Sequence, residues 1–185
     1  TKKINFAVIG YGKMGHLFHE CLSNIQGIHV QSFYDPNVAE SGGLSKVEQV
    51  EQILSDTLID AVVITTPNFK TCEYVSRALK AGKNVFSEKP AGLNSDEARK
   101  ILETSKNFPH LKLKLGFNHR YLSSVVHAKE IIDSGNFGKI LWLRGRYGKG
   151  GDDEFYNQWR SKKEMAGGGI LLDQGIHMLD LGLFF

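Results

Sequence analysis

The sequence predicts an α/β protein: a doubly wound parallel sheet over residues 1–121, then the start of a second domain over 122–185. Three observations carry this. Short apolar runs alternate with helix-period segments through the first two-thirds of the chain. The first run ends in closely spaced glycines and the second in an acid. After Asn118 the alternation stops and the texture changes.

Strands are expected at Ile4–Ile9, Ile28–Tyr34, Ala61–Thr65, Asn84–Ser87 and Leu111–Gly116, each short and apolar on both sides. Helical periodicity covers Met14–Ile25, Val47–Leu54, Thr71–Ala81 and Ser95–Asn107. Gly82 and Lys83 stop one helix, and Asn94 or Ser95 with Glu97 opens another. Two-sided apolar strands alternating with helices predict a parallel sheet covered on both faces. Farther on, Val125–Ile132 reads as a helix, and Ile140–Tyr147 alternates like a strand. A polar glycine-rich stretch, Gly148–Asp153, leads to Phe155–Arg160 and then to Gly167–Phe185. The last residues are apolar without a polar cap, and a lone strand cannot make a sheet. The expectation is therefore that a substantial part of this second domain lies beyond residue 185.

Composition narrows the function classes. With 41% hydrophobic residues among 185, the chain has apolar material for an ordinary globular core. A net charge of +3, with short separated doublets at Lys2-Lys3 and Lys162-Lys163, argues against a nucleic-acid partner. Cys21 and Cys72 fall in helix-like segments without metal-ligand spacing, which reads as two buried free thiols. No stretch is apolar enough to span a membrane, and a first strand at residue 4 leaves no room for a signal peptide. A cytoplasmic location is expected.

Gly10-Tyr11-Gly12-Lys13-Met14-Gly15 follows the first strand and opens a helix, and Asp35 closes the second strand. Dinucleotide binding requires that order. Gly10 permits the tight turn, Gly12 lets backbone approach a pyrophosphate, and Gly15 lets the helix pack on the sheet. Phosphate would sit on the free N–H groups of the helix N-terminus. Asp35 can accept ribose hydroxyls and repels a 2′-phosphate, so NAD is expected in preference to NADP. It could equally open the turn before Pro36.

Thr65-Thr66-Pro67-Asn68 and Ser87-Glu88-Lys89-Pro90 close the third and fourth expected strands, where ligands of a doubly wound sheet sit. Pro90 restricts Lys89 to extended backbone, so its ammonium can be aimed; the alternative is a surface lysine before a turn. Asp173 and His177 lie four apart in an otherwise apolar segment and would share a helix face. Such a pair could bind metal, orient a general base or serve structure alone. Metal lacks a third ligand at fitting spacing, whereas histidine titrates near neutral pH and suits acid–base work. The cofactor-binding candidates are Gly10, Gly12, Lys13, Met14, Gly15, Asp35, Thr65, Thr66, Pro67, Asn68, Glu88, Lys89 and Asn118. Substrate-binding candidates are Lys89, Arg120, Tyr156, Trp159, Arg160, Asp173 and His177, the arginines as anchors for an anionic group. His119 is a weaker base candidate than His177.

With the glycine motif, Thr66-Pro67, Glu88-Lys89-Pro90, Gly116-Phe-Asn-His-Arg-Tyr121 and Asp173-x3-His177 in order, the chain resembles the Gfo/Idh/MocA oxidoreductases over essentially all 185 residues. The resemblance implies an NAD-dependent dehydrogenase acting on a secondary alcohol of a sugar, cyclitol or sugar nucleotide. It also implies Lys89, Asp173 and His177 as catalytic residues, no metal, and a Rossmann domain followed by an α/β domain with a mostly antiparallel sheet. A homo-oligomer, dimer or tetramer, goes with that second domain. Two alternatives remain open on the same scaffold: an NAD-dependent glycosidase and a non-catalytic NAD-binding regulator.

Overall fold

The apolar run Ile4–Ile9 forms β1, the strand from which the sheet builds outward in both directions. The computed structural model describes residues 3–39, 43–148 and 153–185. The chain divides into two units, Thr1–Gly116 and Phe117–Phe185.

In the first unit, α1 (Lys13–Ser23), β2 (Ile28–Tyr34), β3 (Ser45–Lys46), α2 (Val50–Ser55), β4 (Ala61–Ile64), α3 (Asn68–Lys80), β5 (Asn84–Ser87), α4 (Ser95–Lys106) and β6 (Leu113–Leu115) follow β1. The sheet is entirely parallel, in the order β3-β2-β1-β4-β5-β6. The chain thus winds one way to β3, returns to the centre, and winds the other way. β1 and β4 are the adjacent strands at which direction reverses. In doubly wound sheets, ligands bind beyond the carboxyl ends of the strands at such a reversal.

Side chains along β1 leave on opposite faces, as the two-residue period requires. Ala7 and Ile9 join Val62, Ile64, Val75 and Leu79 in one core cluster; Val8 joins Phe33 and Val63 in another, backed by Phe18 and Leu22 of α1. β4, Ala-Val-Val-Ile, is buried along its whole length. Local signals set the helix starts. Asn94 caps α4, its side chain accepting from the N–H groups of Asp96 and Glu97, each at 3.0 Å. Lys83 is buried, but its ammonium donates to the carbonyls of Asp56 and Ile59, so the charge stays solvated by backbone.

The second unit corrects two expectations. It holds α5 (Ser123–Asp133), short 3-10 turns at Asn118–Tyr121, Asp153–Asn157 and Trp159–Ser161, α6 (Lys163–Ala166), a π-helical turn Leu171–Gly175 and α7 (Ile176–Phe184). No strand occurs among its described residues, so no antiparallel sheet is present there. Ile140–Tyr147, expected as a strand, has no ladder partner among the described residues, and unpaired backbone N–H and C=O groups cannot hold strand geometry alone. Lys2 and residues 149–152 of the expected glycine-rich stretch lie outside the described residues. Cys21 is exposed on α1 and not buried as expected, because the helix turns that stripe away from the sheet; Cys72 is buried. Among the described residues, no helix is long and apolar enough to cross a membrane.

Candidate active site

The sheet ladder runs on into the glycine loop. Gly10 N–H donates to the Tyr34 carbonyl (2.8 Å), and Thr65 N–H donates to the Ile9 carbonyl (2.9 Å). The loop therefore leaves β1 at the reversal point, gripped from both sides. Gly10 has φ +92°, and a Cβ there would lie 2.8 Å from the Thr66 nitrogen. A Cβ at Gly15 would press into the carbonyl oxygen of Gly10. These two glycines answer internal needs. Gly12 does not: its φ is −77°, and a Cβ there would meet nothing within 4 Å. The space over Gly12, at the N-terminus of α1, is open, which leaves a phosphate room to approach the backbone N–H groups of the loop. Thr66, just past β4 and beside this loop, adds a buried hydroxyl oxygen with no hydrogen-bond partner among the described residues.

Asp35 closes β2 with both oxygens engaged. Oδ2 accepts from the Tyr11 N–H at 2.7 Å, and Oδ1 accepts from the Asn37 N–H at 2.8 Å. The turn role does not exclude a ligand role, since each carboxylate oxygen keeps lone-pair capacity for a further donor. Tyr11 itself is buried, and sequence reading passed over it. Its ring packs at 4.1 Å on Phe33 and on His16, and its hydroxyl shares a hydrogen bond with His19 Nδ1. Burial first, and His16 second, push the His19 imidazole below its ordinary range. An aromatic residue between two loop glycines was the available signal. Lys13 and Met14 begin α1, Lys13 exposed; Asn68 begins α3 and is buried, directly after Pro67.

At the end of β5, Glu88 N–H donates to the Ile64 carbonyl at 2.8 Å, fixing the start of the Glu88-Lys89-Pro90 segment. The Glu88 carboxylate lies over Gly116, where a Cβ would come within 2.9 Å of it. Lys89 is half-buried, and its peptide bond to Pro90 is cis. The carboxyl end of the sheet thus carries Gly10–Gly15, Thr65–Asn68 and Glu88–Lys89 on three neighbouring strand ends.

In the second unit, α7 has an inverted surface. Its buried stripe, with the preceding turn, is Gln174, His177 and Asp180, while Leu179 and Leu183 are exposed. His177 is 6% exposed and stacks on His119, ring centroids 4.0 Å apart and planes 17° from parallel. Phe117 presents its edge to His177 at 6.1 Å, and Tyr147 packs edge-on against His119 at 5.1 Å and His177 at 6.3 Å. Asp180 accepts two hydrogen bonds from Arg120, from Nε at 2.7 Å and Nη2 at 2.5 Å. Two of Arg120's donors are thereby committed inside the protein.

Asp173 is half-buried within the π turn, not on regular α-helix as expected, so the four-residue spacing to His177 crosses a change of helix type. Tyr156, Trp159 and Arg160 occupy the two short 3-10 turns, where the Arg160 guanidinium lies 4.4 Å over the Trp159 ring. Asn118 is exposed at the start of its 3-10 turn. Sequence reading ranked His119 below His177 as a base and did not select Phe117, Tyr147 or Asp180. The readable signal for Asp180 was an acid three residues past His177 in an apolar helix. Among the described residues, no group of three or more histidine, cysteine, aspartate or glutamate side chains could hold a metal ion.

Comparison with known proteins agrees with this architecture. A family model described as the oxidoreductase family with the NAD-binding Rossmann fold (GFO_IDH_MocA) matches residues 4–110, and one described as the GFO/IDH/MocA C-terminal domain matches residues 125–185. Glucose-6-phosphate 3-dehydrogenase of Bacillus subtilis is 31% identical over 97% of this chain and 52% of its own. The crystal structure of myo-inositol 2-dehydrogenase from Lactobacillus plantarum superimposes with a TM-score of 0.87 at 31% identity, over 99% of this chain and 56% of that one. That of scyllo-inositol dehydrogenase from Lactobacillus casei, with bound NAD(H) and scyllo-inositol, gives 0.83 at 27% identity, over 100% and 56%. The chain spans about half the length of the curated relatives it matches.

Proposed function

The chain belongs to the Gfo/Idh/MocA oxidoreductase family with the NAD-binding Rossmann fold, and on that premise we propose that its protein is an NAD-dependent dehydrogenase of a secondary alcohol in a sugar, cyclitol or sugar nucleotide. The observation that carries the reading is Gly12. Its two neighbouring glycines are explained by internal packing and backbone conformation, whereas Gly12 answers neither need and stands in open space at the start of α1, which supports a ligand there. Relatives named as inositol and glucose-6-phosphate dehydrogenases support the substrate class.

The residues fit NAD: the glycine loop would hold the pyrophosphate on N–H groups, and Asp35 would take the ribose hydroxyls. Bound NAD supplies the acceptor for the hydride on the alcohol carbon. The rest falls to the chain's own side chains. In this proposal His177 takes the hydroxyl proton, the role that histidine side chains most often serve in general acid–base catalysis. Lys89 donates a hydrogen bond to the same oxygen as negative charge develops on it. Asp173 orients the imidazole. Asp35 selects NAD over NADP by repelling a 2′-phosphate.

The test is a screen of polyols, cyclitols and nucleotide sugars with the protein and NAD, following NADH absorbance. One substrate class should give net NADH. Glycoside cleavage without NADH would replace this reading with the glycosidase. NAD binding with neither outcome would leave a regulator.

A further inference from the structure

Arg120 and Asp180 are 60 residues apart, yet they form a two-point ion pair between the 3-10 turn Asn118–Tyr121 and helix α7. Its place matters more than its existence. Arg120 directly follows His119, and Asp180 lies one helical turn past His177 on the same buried stripe. The two elements joined by the ion pair are therefore the two that supply the stacked imidazoles. A second contact reinforces the first: the Arg120 guanidinium also lies 5.1 Å from the Phe184 ring centroid, a further turn along α7.

A parallel stack of two small rings is easily slid or tilted, because its attraction is weak and non-directional. A bidentate guanidinium–carboxylate pair is directional in two hydrogen bonds at once. Placed beside the stack, it sets how closely the turn approaches α7 and at what rotation. Phe117 and Tyr147 add steeply tilted ring contacts to His177 at 6.1 and 6.3 Å.

We infer that the Arg120–Asp180 ion pair and His119 are positioning groups that fix the plane of the His177 imidazole, and with it the direction in which its nitrogens face the substrate hydroxyl. The reaction in this inference rests on the dehydrogenase reading; the ring geometry does not. His119 and Arg120 touch no reacting atom in this account. They act through His177.

The experiment uses the protein carrying Asp180→Asn, Arg120→Lys, His119→Ala and His119→Phe, with steady-state kinetics and NMR of the histidine ring protons. In the wild type, stacking displaces the His177 ring resonance from its free position. Asp180→Asn and His119→Ala should return it toward that position and lower kcat by roughly tenfold or more, with KM for NAD unchanged, as expected for a misaimed group. The double variant Asp180→Asn/His119→Ala should lose no more than the worse single one, because both act through one ring. His119→Phe, which keeps a planar ring, should recover kcat to within about threefold of wild type by keeping that alignment. If Asp180→Asn does not fold, Arg120→Lys, which keeps the charge but loses the fork, should show the same two changes. A folded Asp180→Asn or Arg120→Lys protein with wild-type resonance and kcat would overturn the inference, as would losses that multiply in the double variant. Resonances that move as stated in a protein that reduces no NAD would uphold the positioning and remove the dehydrogenase reading.

Discussion

Replacing Gly12 by alanine separates a ligand's demand from the fold's. The backbone at Gly12 is at φ −77° and ψ −161°, open to any residue, and a Cβ there meets nothing within 4 Å. Removing glycine's freedom from the unfolded chain favours the ligand-free protein by about 0.4–1 kcal/mol, and the loss of a glycine N-cap on α1 opposes it by a similar amount, so its stability without NAD should stay within about 1 kcal/mol of wild type. The same methyl stands in the space assigned to the pyrophosphate, and a tenfold loss of affinity is about 1.4 kcal/mol. At NAD concentrations 100 times the wild-type Kd, ligand stabilisation is about 2.7 kcal/mol; with Kd raised tenfold it falls to about 1.4 kcal/mol. Thermal melts with and without NAD read both terms. Gly15→Ala is the control, since its methyl would press on the Gly10 carbonyl, backbone held by the sheet ladder. It should cost about 1–3 kcal/mol without ligand, as overpacking does. A Gly12→Ala protein with the full NAD-induced shift would refute a phosphate at Gly12, and one unstable without NAD would show that the glycine serves the fold.

Two more outcomes follow from individual residues. Asp35→Ala should weaken NAD binding by about tenfold or more and narrow the preference over NADP, measured by calorimetric titration with both cofactors; equal affinities before and after would dismiss its role. Tyr74 is buried against Tyr34 and beside Glu73, and burial above all pushes its phenol up to about 12. Its proton is therefore held more tightly folded than unfolded. That contribution is complete below about pH 10 and is lost as pH rises through about 12, on the order of 2 kcal/mol. Tyr74→Phe should abolish this slope in urea midpoints taken across the window; equal slopes in both proteins would show that the phenol does not cause it.

Much of the first unit was legible because its signals are local. The strands Ile4–Ile9, Ile28–Tyr34 and Asn84–Ser87 stand at the bounds their apolar runs suggest. β3 escaped reading since Ser45–Lys46 is too short to carry a period, and it exists only through pairing with Ser32 and Phe33. β6 is shorter than the run Leu111–Gly116, as an edge strand extends only as far as β5 pairs with it. α3 begins at Asn68, ahead of the expected Thr71, because Pro67 suits a helix entry by its fixed φ. The second unit was less legible for two reasons. Ile140–Tyr147 alternates like a strand, but alternation cannot supply the partner a ladder needs. The ring cluster and the Arg120–Asp180 pair join residues up to 60 positions apart, and no local spacing announces that. Arg120, expected to hold an anionic ligand, commits two of its donors to Asp180.

The proton and hydride chemistry itself is tested most directly by turnover in His177→Ala and Lys89→Met, each measured with NAD binding followed in parallel. Each variant should lose roughly 100-fold or more in kcat while NAD still binds, the scale of one acid–base or charge-stabilising group. Near-wild-type turnover in both, with cofactor bound, would contradict the account.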